Sequence, residues 1–150
     1  MIRPATIEDV PFLAQMASRF YGYAVSKNGL KFNPSHFMRY CILLVESDNG
    51  MILVMERDGK IVGSSAAELV PWFMDFSQVI MSEKWWWVDS DYRGGVESMK
   101  LVSRLIGWGK SMGASTVIMV AIETPQSGKV EQLYERMGFS KLETHYIKGI

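Results

Sequence analysis

The sequence predicts an α/β fold, a mixed and mostly antiparallel sheet with helices on both faces, and three observations carry that expectation. Arg57-Asp58-Gly59-Lys60 sits between two apolar runs. Asp-Gly suits a two-residue hairpin turn because both central residues need positive φ, so residues 52–56 and 61–69 are expected to pair antiparallel. A strand over 78–89, the Gly94-Gly95 step, a helix over 96–112 and a β-branched run over 116–122 read as a strand–helix–strand crossover, which makes the second pairing parallel. Val10, Leu13, Ala17 and Phe20 recur at helical spacing, which gives one helix face to bury.

Taken in order, Ile2 and Arg3 start a short strand. Thr6 reads as a helix N-cap, with Asp9 three residues later as a variant capping box. Gly22 and Ser26-Lys27-Asn28-Gly29 end that helix. Ser35 is expected to cap a second helix carrying Phe37, Met38, Cys41, Ile42 and Val45. After the hairpin, Pro71 interrupts the strand, and Trp72, Phe73 and Phe76 make an aromatic connection. The next strand ends in Trp85-Trp86-Trp87-Val88. Three adjacent tryptophans cannot share one face of a strand, so both faces are covered or one lines a pocket. Gly113 stops the following helix. Thr124-Pro125 reads as an N-cap with proline at the first helical position. Val130, Leu133, Tyr134 and Met137 form the inner stripe of that last helix, Gly138 ends it, and residues 139–147 are expected to form a final strand.

The 150 residues fit one domain, 1–150, and 48% are apolar, enough for a packed core. Sixteen basic residues balance sixteen acidic ones, so the basic face that nucleic acid requires is not expected. Cys41 is the single cysteine and excludes an internal disulfide or a cysteine-rich metal site. His36 and His145 are isolated, which supports neither a metal site nor a triad. The start, Met-Ile-Arg-Pro followed by Glu8 and Asp9, does not read as a signal peptide. The apolar runs fall short of the ~20 residues that span a bilayer, so a cytoplasmic protein without membrane contact is expected.

Two segments carry chemistry. Asp91-Tyr92-Arg93-Gly94-Gly95-Val96-Glu97-Ser98 joins a strand end to a helix start. N–H groups there lack intrahelical partners, the helix dipole favours an anion, glycines let phosphate oxygens approach, and Arg93 adds a cation. The same loop also reads as an ordinary tight turn with a solvated arginine. Leu133-Tyr134-Glu135-Arg136-Met137-Gly138-Phe139 places a tyrosine on the inner face of a helix. It also reads as a plain amphipathic helix with a buried tyrosine.

Together these segments resemble the GNAT N-acetyltransferase family over nearly the whole chain. Ile2-Arg3-Pro4-Ala5-Thr6 with Asp9 is similar to the family's opening, and residues 52–63 to its hairpin. Tyr92-Arg93-Gly94 is similar to its pyrophosphate loop, Trp108-Gly109-Lys110 with Gly113-Ala114 to the end of its helix, and Leu133-Tyr134 with Gly138-Phe139 to its L-Y-x-x-x-G-F. The tryptophan-rich strand running into Tyr-Arg-Gly also resembles phage and prophage members. There are departures. The family loop is R-x-x-G-x-G/A, and ungapped alignment puts Val96 and Ser98 at its two small positions. Ser127 stands where the family often has asparagine.

The resemblance implies the GNAT (acyl-CoA N-acyltransferase) fold, with fourth and fifth strands that splay apart. It implies acetyl-CoA as acyl donor. The pantetheine arm would pair with the fourth strand at Trp87, Val88 and Asp89. The pyrophosphate would sit on the N–H groups of Arg93, Gly94, Gly95, Val96, Glu97 and Ser98, with Ser127 nearer the CoA arm. The acceptor would be a primary amine, on a small molecule or a peptide, attacking the thioester directly. Tyr134 occupies the family's general-acid position beside the cofactor, and a phenol of ordinary pKa ~10 suits protonation of a thiolate. Glu83 is a candidate base, directly or through water, and Glu123 a second. The acceptor site would be bordered by residues 21–34, by residues 72–76 and by the tryptophans. Two alternatives stay open: a catalytically silent CoA-binding or interaction protein on this fold, and a dimeric structural module with the aromatics at the interface.

Overall fold

The computed structural model describes residues 1–26 and 29–150. Lys27 and Asn28, part of the expected helix-ending cluster, lie outside them. One five-stranded sheet runs in the order β1 (Ile2–Pro4), β2 (Gly50–Arg57), β3 (Lys60–Trp72), β4 (Asp75–Val88), β5 (Thr116–Ile118). The first three pairings are antiparallel and β4–β5 is parallel, so the sheet is mixed as expected. Asp58 at φ 49° and Gly59 at φ 73° form the β2–β3 turn.

The middle strands are buried on both faces over 52–55 and 62–67, which explains their continuous burial. Ile52 and Val54 point to one layer with Leu13, Cys41, Leu44 and Ala66. There they meet α1 (Val10–Phe20) and α2 (Pro34–Glu46). Leu53 and Met55, one residue out of phase, point to the other layer with Met81, Leu101 and Leu105, where α3 (Val96–Ser111) packs. α4 (Ser127–Arg136) completes the order. At the start of the chain, Arg3 holds Asp9 through two bonds of 2.6 and 2.9 Å and Glu56 through one of 2.6 Å. The guanidinium keeps the Asp9 carboxyl below the usual carboxylate range. Asp9 also accepts the Thr6 N–H at 2.8 Å, the backbone contact that a capping box supplies.

Several expectations are corrected. Gly22 does not end the first helix: the chain continues through a wider π turn, Tyr21–Val25. Asn33, not Ser35, caps α2, its side chain accepting the His36 N–H, with Pro34 at the first helical position. Pro71 does not interrupt β3; it sits opposite Val79 beside a register shift, which tolerates a residue with no N–H to give. Residues 72–76 are therefore mostly strand and hairpin tip. β5 is three residues rather than seven. Thr124-Pro125 forms a turn instead of a cap: the Thr124 hydroxyl and carbonyl accept from Gln126 and Ser127 N–H, and the helix starts only at Ser127. The final strand over 139–147 is absent. Phe139 packs against Tyr134 with ring centres 5.5 Å apart, but the residues after it make no ladder with the free edge of β5, and Leu142 and Tyr146 are exposed. No helix among the described residues is long and apolar enough to cross a membrane.

Two glycines of α3 have opposite surroundings. A Cβ on Gly109 would lie 2.5 Å from Met81 Sδ and 3.0 Å from Met81 Cβ, whereas a Cβ on Gly107 meets nothing. Gly109→Ala is predicted to lower stability by about 1–3 kcal/mol through overpacking. Gly107→Ala should raise it by about 0.5–1 kcal/mol by removing a helix-interior glycine. Urea unfolding of both variants checks the opposite signs.

Candidate active site

The site begins where β5 leaves β4. Their ladder runs from Ile80↔Thr116 to Ser82↔Ile118 and stops. At the next position the Glu83 carboxylate accepts the Val120 N–H at 2.6 Å, and the Tyr134 hydroxyl donates to the Val120 carbonyl at 3.2 Å. Two side chains thus satisfy the backbone groups that a continuing strand would have paired. Among the described residues, β4 has a strand partner only on its β3 side from Lys84 to Val88.

A bulge sharpens this geometry. Ala66 faces Trp85 and Ala67 faces Glu83, so Lys84 is the extra residue. The bulge breaks the alternation of faces, and Glu83 lies on the face of Met81 and Trp86 instead of the face of Trp85. Trp86 is 6.4 Å from Tyr134, ring to ring. Burial lifts the Glu83 carboxyl to about 7, against the opposing hydrogen bond from Val120. Burial, then the Glu83 charge, raises the Tyr134 phenol well above its ordinary value.

The backbone of β4 shows which groups face the opening. Asp89 N–H donates to Val62 O at 2.9 Å. In an antiparallel ladder the bonded pairs alternate, so Trp85, Trp87 and Asp89 turn their N–H and C=O groups to β3. Trp86 and Val88 turn theirs to the side that β5 has left. Of the three residues expected at the pantetheine arm, only Val88 therefore presents its backbone there, and its carbonyl accepts from Arg93 Nε at 2.6 Å. Trp86, which also presents its backbone there, is not among the residues expected; the bulge that decides its direction has no sequence signal. The Trp87 and Asp89 side chains are tied together, Trp87 Nε1 donating to Asp89 Oδ1 at 3.1 Å, and Asp89 also pairs with Arg19 at 3.0 Å.

The glycine loop follows. Ser90–Tyr92 makes one 3₁₀ turn, Gly94 takes φ 79°, and Gly95 is the N-cap of α3. No atom lies within 4 Å of where a Cβ would stand on either glycine. Among the described residues the N–H groups of Gly94, Gly95, Val96 and Glu97 meet no acceptor. Ser98 differs: it is buried, and both its N–H and its hydroxyl donate to Gly95 O. The Val96 side chain is exposed. Glu97 pairs with Arg57 at 2.6 Å. Arg93 lies with its guanidinium 4.2 Å from the Trp87 ring centre and also lines the cleft beside the loop. A cleft of about 400 Å³ beside the loop is lined by Arg57, Tyr92, Gly95 and Glu97 among others. Arg57, the second cation here, was read only as a turn residue. Ser127 donates to Thr124 O and Glu123 Oε1, at the start of α4.

On the opposite face of the sheet a second cavity, of about 190 Å³, lies against Lys84, Trp85 and Trp87. Tyr21 and Val25 from the π turn, and Phe32 and Phe37, close it. Residues 72–76 do not line it; Phe73, Met74 and Phe76 are exposed at the hairpin tip. Residues 27 and 28, within the stretch expected to border an acceptor, lie outside the described residues.

Solved structures share this architecture. A predicted acetyltransferase from Clostridium acetobutylicum, solved with acetyl-CoA, superposes with a TM-score of 0.77 at 15% identity, covering 99% of this chain and 95% of that one. Glucosamine-6-phosphate N-acetyltransferase from Arabidopsis thaliana gives 0.73 at 22% identity, covering 99% and 97%. A ribosomal-protein-alanine N-acetyltransferase from Brucella melitensis biovar Abortus 2308 gives 0.70 at 17%, covering 100% and 99%. At such identities the likeness establishes the fold. No curated protein matches the sequence significantly. Residues 13–139 match the acetyltransferase (GNAT) family, and with most of the chain inside that match the protein belongs to the family.

Proposed function

We propose that the protein is an N-acetyltransferase that moves the acetyl group of acetyl-CoA directly to a primary amine. The observation that carries this reading is the opening between β4 and β5, with Glu83 and Tyr134 both bound to Val120 at its apex. Trp86 and Val88 offer backbone groups along one side for the amides of a pantetheine arm. The free N–H groups from Gly94 to Glu97 suit the pyrophosphate, helped by the helix dipole. Ser98 contributes packing instead of a phosphate contact, and Arg93 supports the strand through Val88 and Trp87.

In this reading the amine nitrogen attacks the thioester carbonyl carbon, the C–S bond breaks, and the acetyl group stays on nitrogen. No enzyme nucleophile is required; positioning supplies much of the rate. The ammonium proton passes through water to Glu83, whose carboxyl near 7 is ionised in part of the population at neutral pH. The Tyr134 phenol, raised by burial and by Glu83, keeps its proton across the neutral range and gives it to the departing thiolate. The proton gained by Glu83 balances the one lost by Tyr134.

Tyr134→Phe should lower kcat by about 10²-fold, measured by thiol release over an amine panel. Full activity of that variant would remove Tyr134 from the chemistry, and acetyl-CoA binding with no turnover on any amine would favour the silent binder. For Glu83 the rate should rise with pH through about 7, as the carboxyl ionises, and Glu83→Gln should abolish that limb. Stability should move the other way. Between 4.5 and about 7 the unfolded chain has lost a proton that the folded chain keeps, so wild-type stability falls as pH rises through that window and levels off above it. Glu83→Gln lacks this fall, so its stability relative to wild type should improve by roughly 3 kcal/mol across the window, read by urea unfolding at each pH.

A further inference from the structure

We infer that the acceptor is a small primary amine carrying an uncharged aromatic or branched aliphatic body, and that this body fills the cavity over Trp85 and Trp87. The inference rests on the acetyl-transfer reading and specifies its acceptor. The cavity lies on Lys84–Trp87, the stretch of β4 from which β5 has departed, so an amine at its mouth is close to the opening proposed for the thioester.

The lining decides the chemistry. Tyr21, Phe32, Phe37 and Trp85 form a continuous aromatic wall, with successive ring centres 5.7, 5.9 and 5.3 Å apart. Phe20 against Trp87, at 5.4 Å, closes the other side. Every polar atom on these rings is already engaged. Tyr21 Oη donates to Leu30 O at 2.6 Å, Trp85 Nε1 to Ser64 Oγ at 3.1 Å, and Trp87 Nε1 to Asp89 Oδ1 at 3.1 Å. The one charged group in the lining, Lys84, is neutralised by Glu68 at 2.8 Å, and Glu68 also accepts from Tyr40 at 2.8 Å. Among the described residues the lining side chains therefore present ring faces and methylene groups, with no unpaired side-chain donor. An amino sugar or a polyamine placed there would lose its hydration without replacement hydrogen bonds. An apolar ring would lose nothing, and an ammonium at the rim would gain from the adjacent ring faces. Size agrees: an apolar cavity of about 150 Å³ holds benzene, and this one is modestly larger at about 190 Å³.

The test compares 2-phenylethylamine and isopentylamine with glucosamine, spermidine and an alanine-terminated peptide in the acetyl-CoA thiol-release assay. It is repeated with Ala17→Phe, which places a ring into the cavity from α1. The two apolar amines should exceed the others in kcat/KM by at least about tenfold, and Ala17→Phe should remove that advantage with acetyl-CoA affinity and thermal midpoint retained. Preference for the sugar, the polyamine or the peptide would overturn the inference, as would an apolar preference that survives in a folded Ala17→Phe. If no amine is acetylated, the transfer reading fails by itself. The cavity is then judged by tryptophan fluorescence: saturable quenching by 2-phenylethylamine, lost in Ala17→Phe, supports the inference, and its absence overturns it. Should Ala17→Phe not fold, Val25→Phe fills the cavity from the π turn and is read in the same way.

Discussion

The backbone of Val120 is held by two side chains from different elements, Glu83 on β4 and Tyr134 on α4, and the open sheet depends on that arrangement. A parallel strand that simply frayed would leave N–H and C=O groups without partners in a partly buried place, at a cost of about 1–3 kcal/mol each. Here the carboxylate takes one and the phenol gives to the other. β5 can therefore end at Ile118 and turn away while β4 runs on to Val88. The same contacts set the unusual electrostatics of the site. Glu83 holds the Val120 N–H from a buried position, and burial brings its carboxyl into the neutral range. The Glu83 charge in turn adds to the burial that keeps the phenol protonated.

The bulge at Lys84 divides the work of β4 between its faces. Without the extra residue, Glu83 and Trp85 would point the same way. With it, Glu83 and Trp86 share the layer of α3 and Tyr134, while Trp85 and Trp87 turn to the cavity under α1 and α2. The Glu83 carboxyl and the aromatic wall of the cavity are thereby carried on opposite faces of one short strand segment. The π turn at Tyr21–Val25 extends α1 and brings Tyr21 and Val25 to the same cavity, a use of widened helical turns near functional sites.

Features legible in the sequence were those fixed by neighbours in the chain. Asp58-Gly59 determines a turn by its own φ values, and Gly94-Gly95 before α3 announces free N–H groups. The helices could be placed from apolar spacing, and the family was visible from the order of its motifs. Features set across the sheet were not legible. The end of β5 is decided by a contact between residues 37 positions apart. The direction of the Trp86 backbone follows from a bulge that no local residue announces. Arg93 precedes two glycines, which suggests a phosphate cation; that it also reaches back to the Trp87 ring and the Val88 carbonyl of β4 is not written in that local pattern. The expected last strand is absent: residues 139–147 have β-forming composition but pair with no strand, although β5 has a free edge.

The central claim is that the opening between β4 and β5 holds acetyl-CoA. Titration calorimetry with acetyl-CoA tests it most directly, because it reads the ligand without assuming an acceptor or a catalytic residue. Saturable binding at one site per chain is expected, retained when the aromatic cavity is filled and weakened when Gly94 is replaced by a bulky residue. Absence of binding by the folded wild-type protein would contradict it.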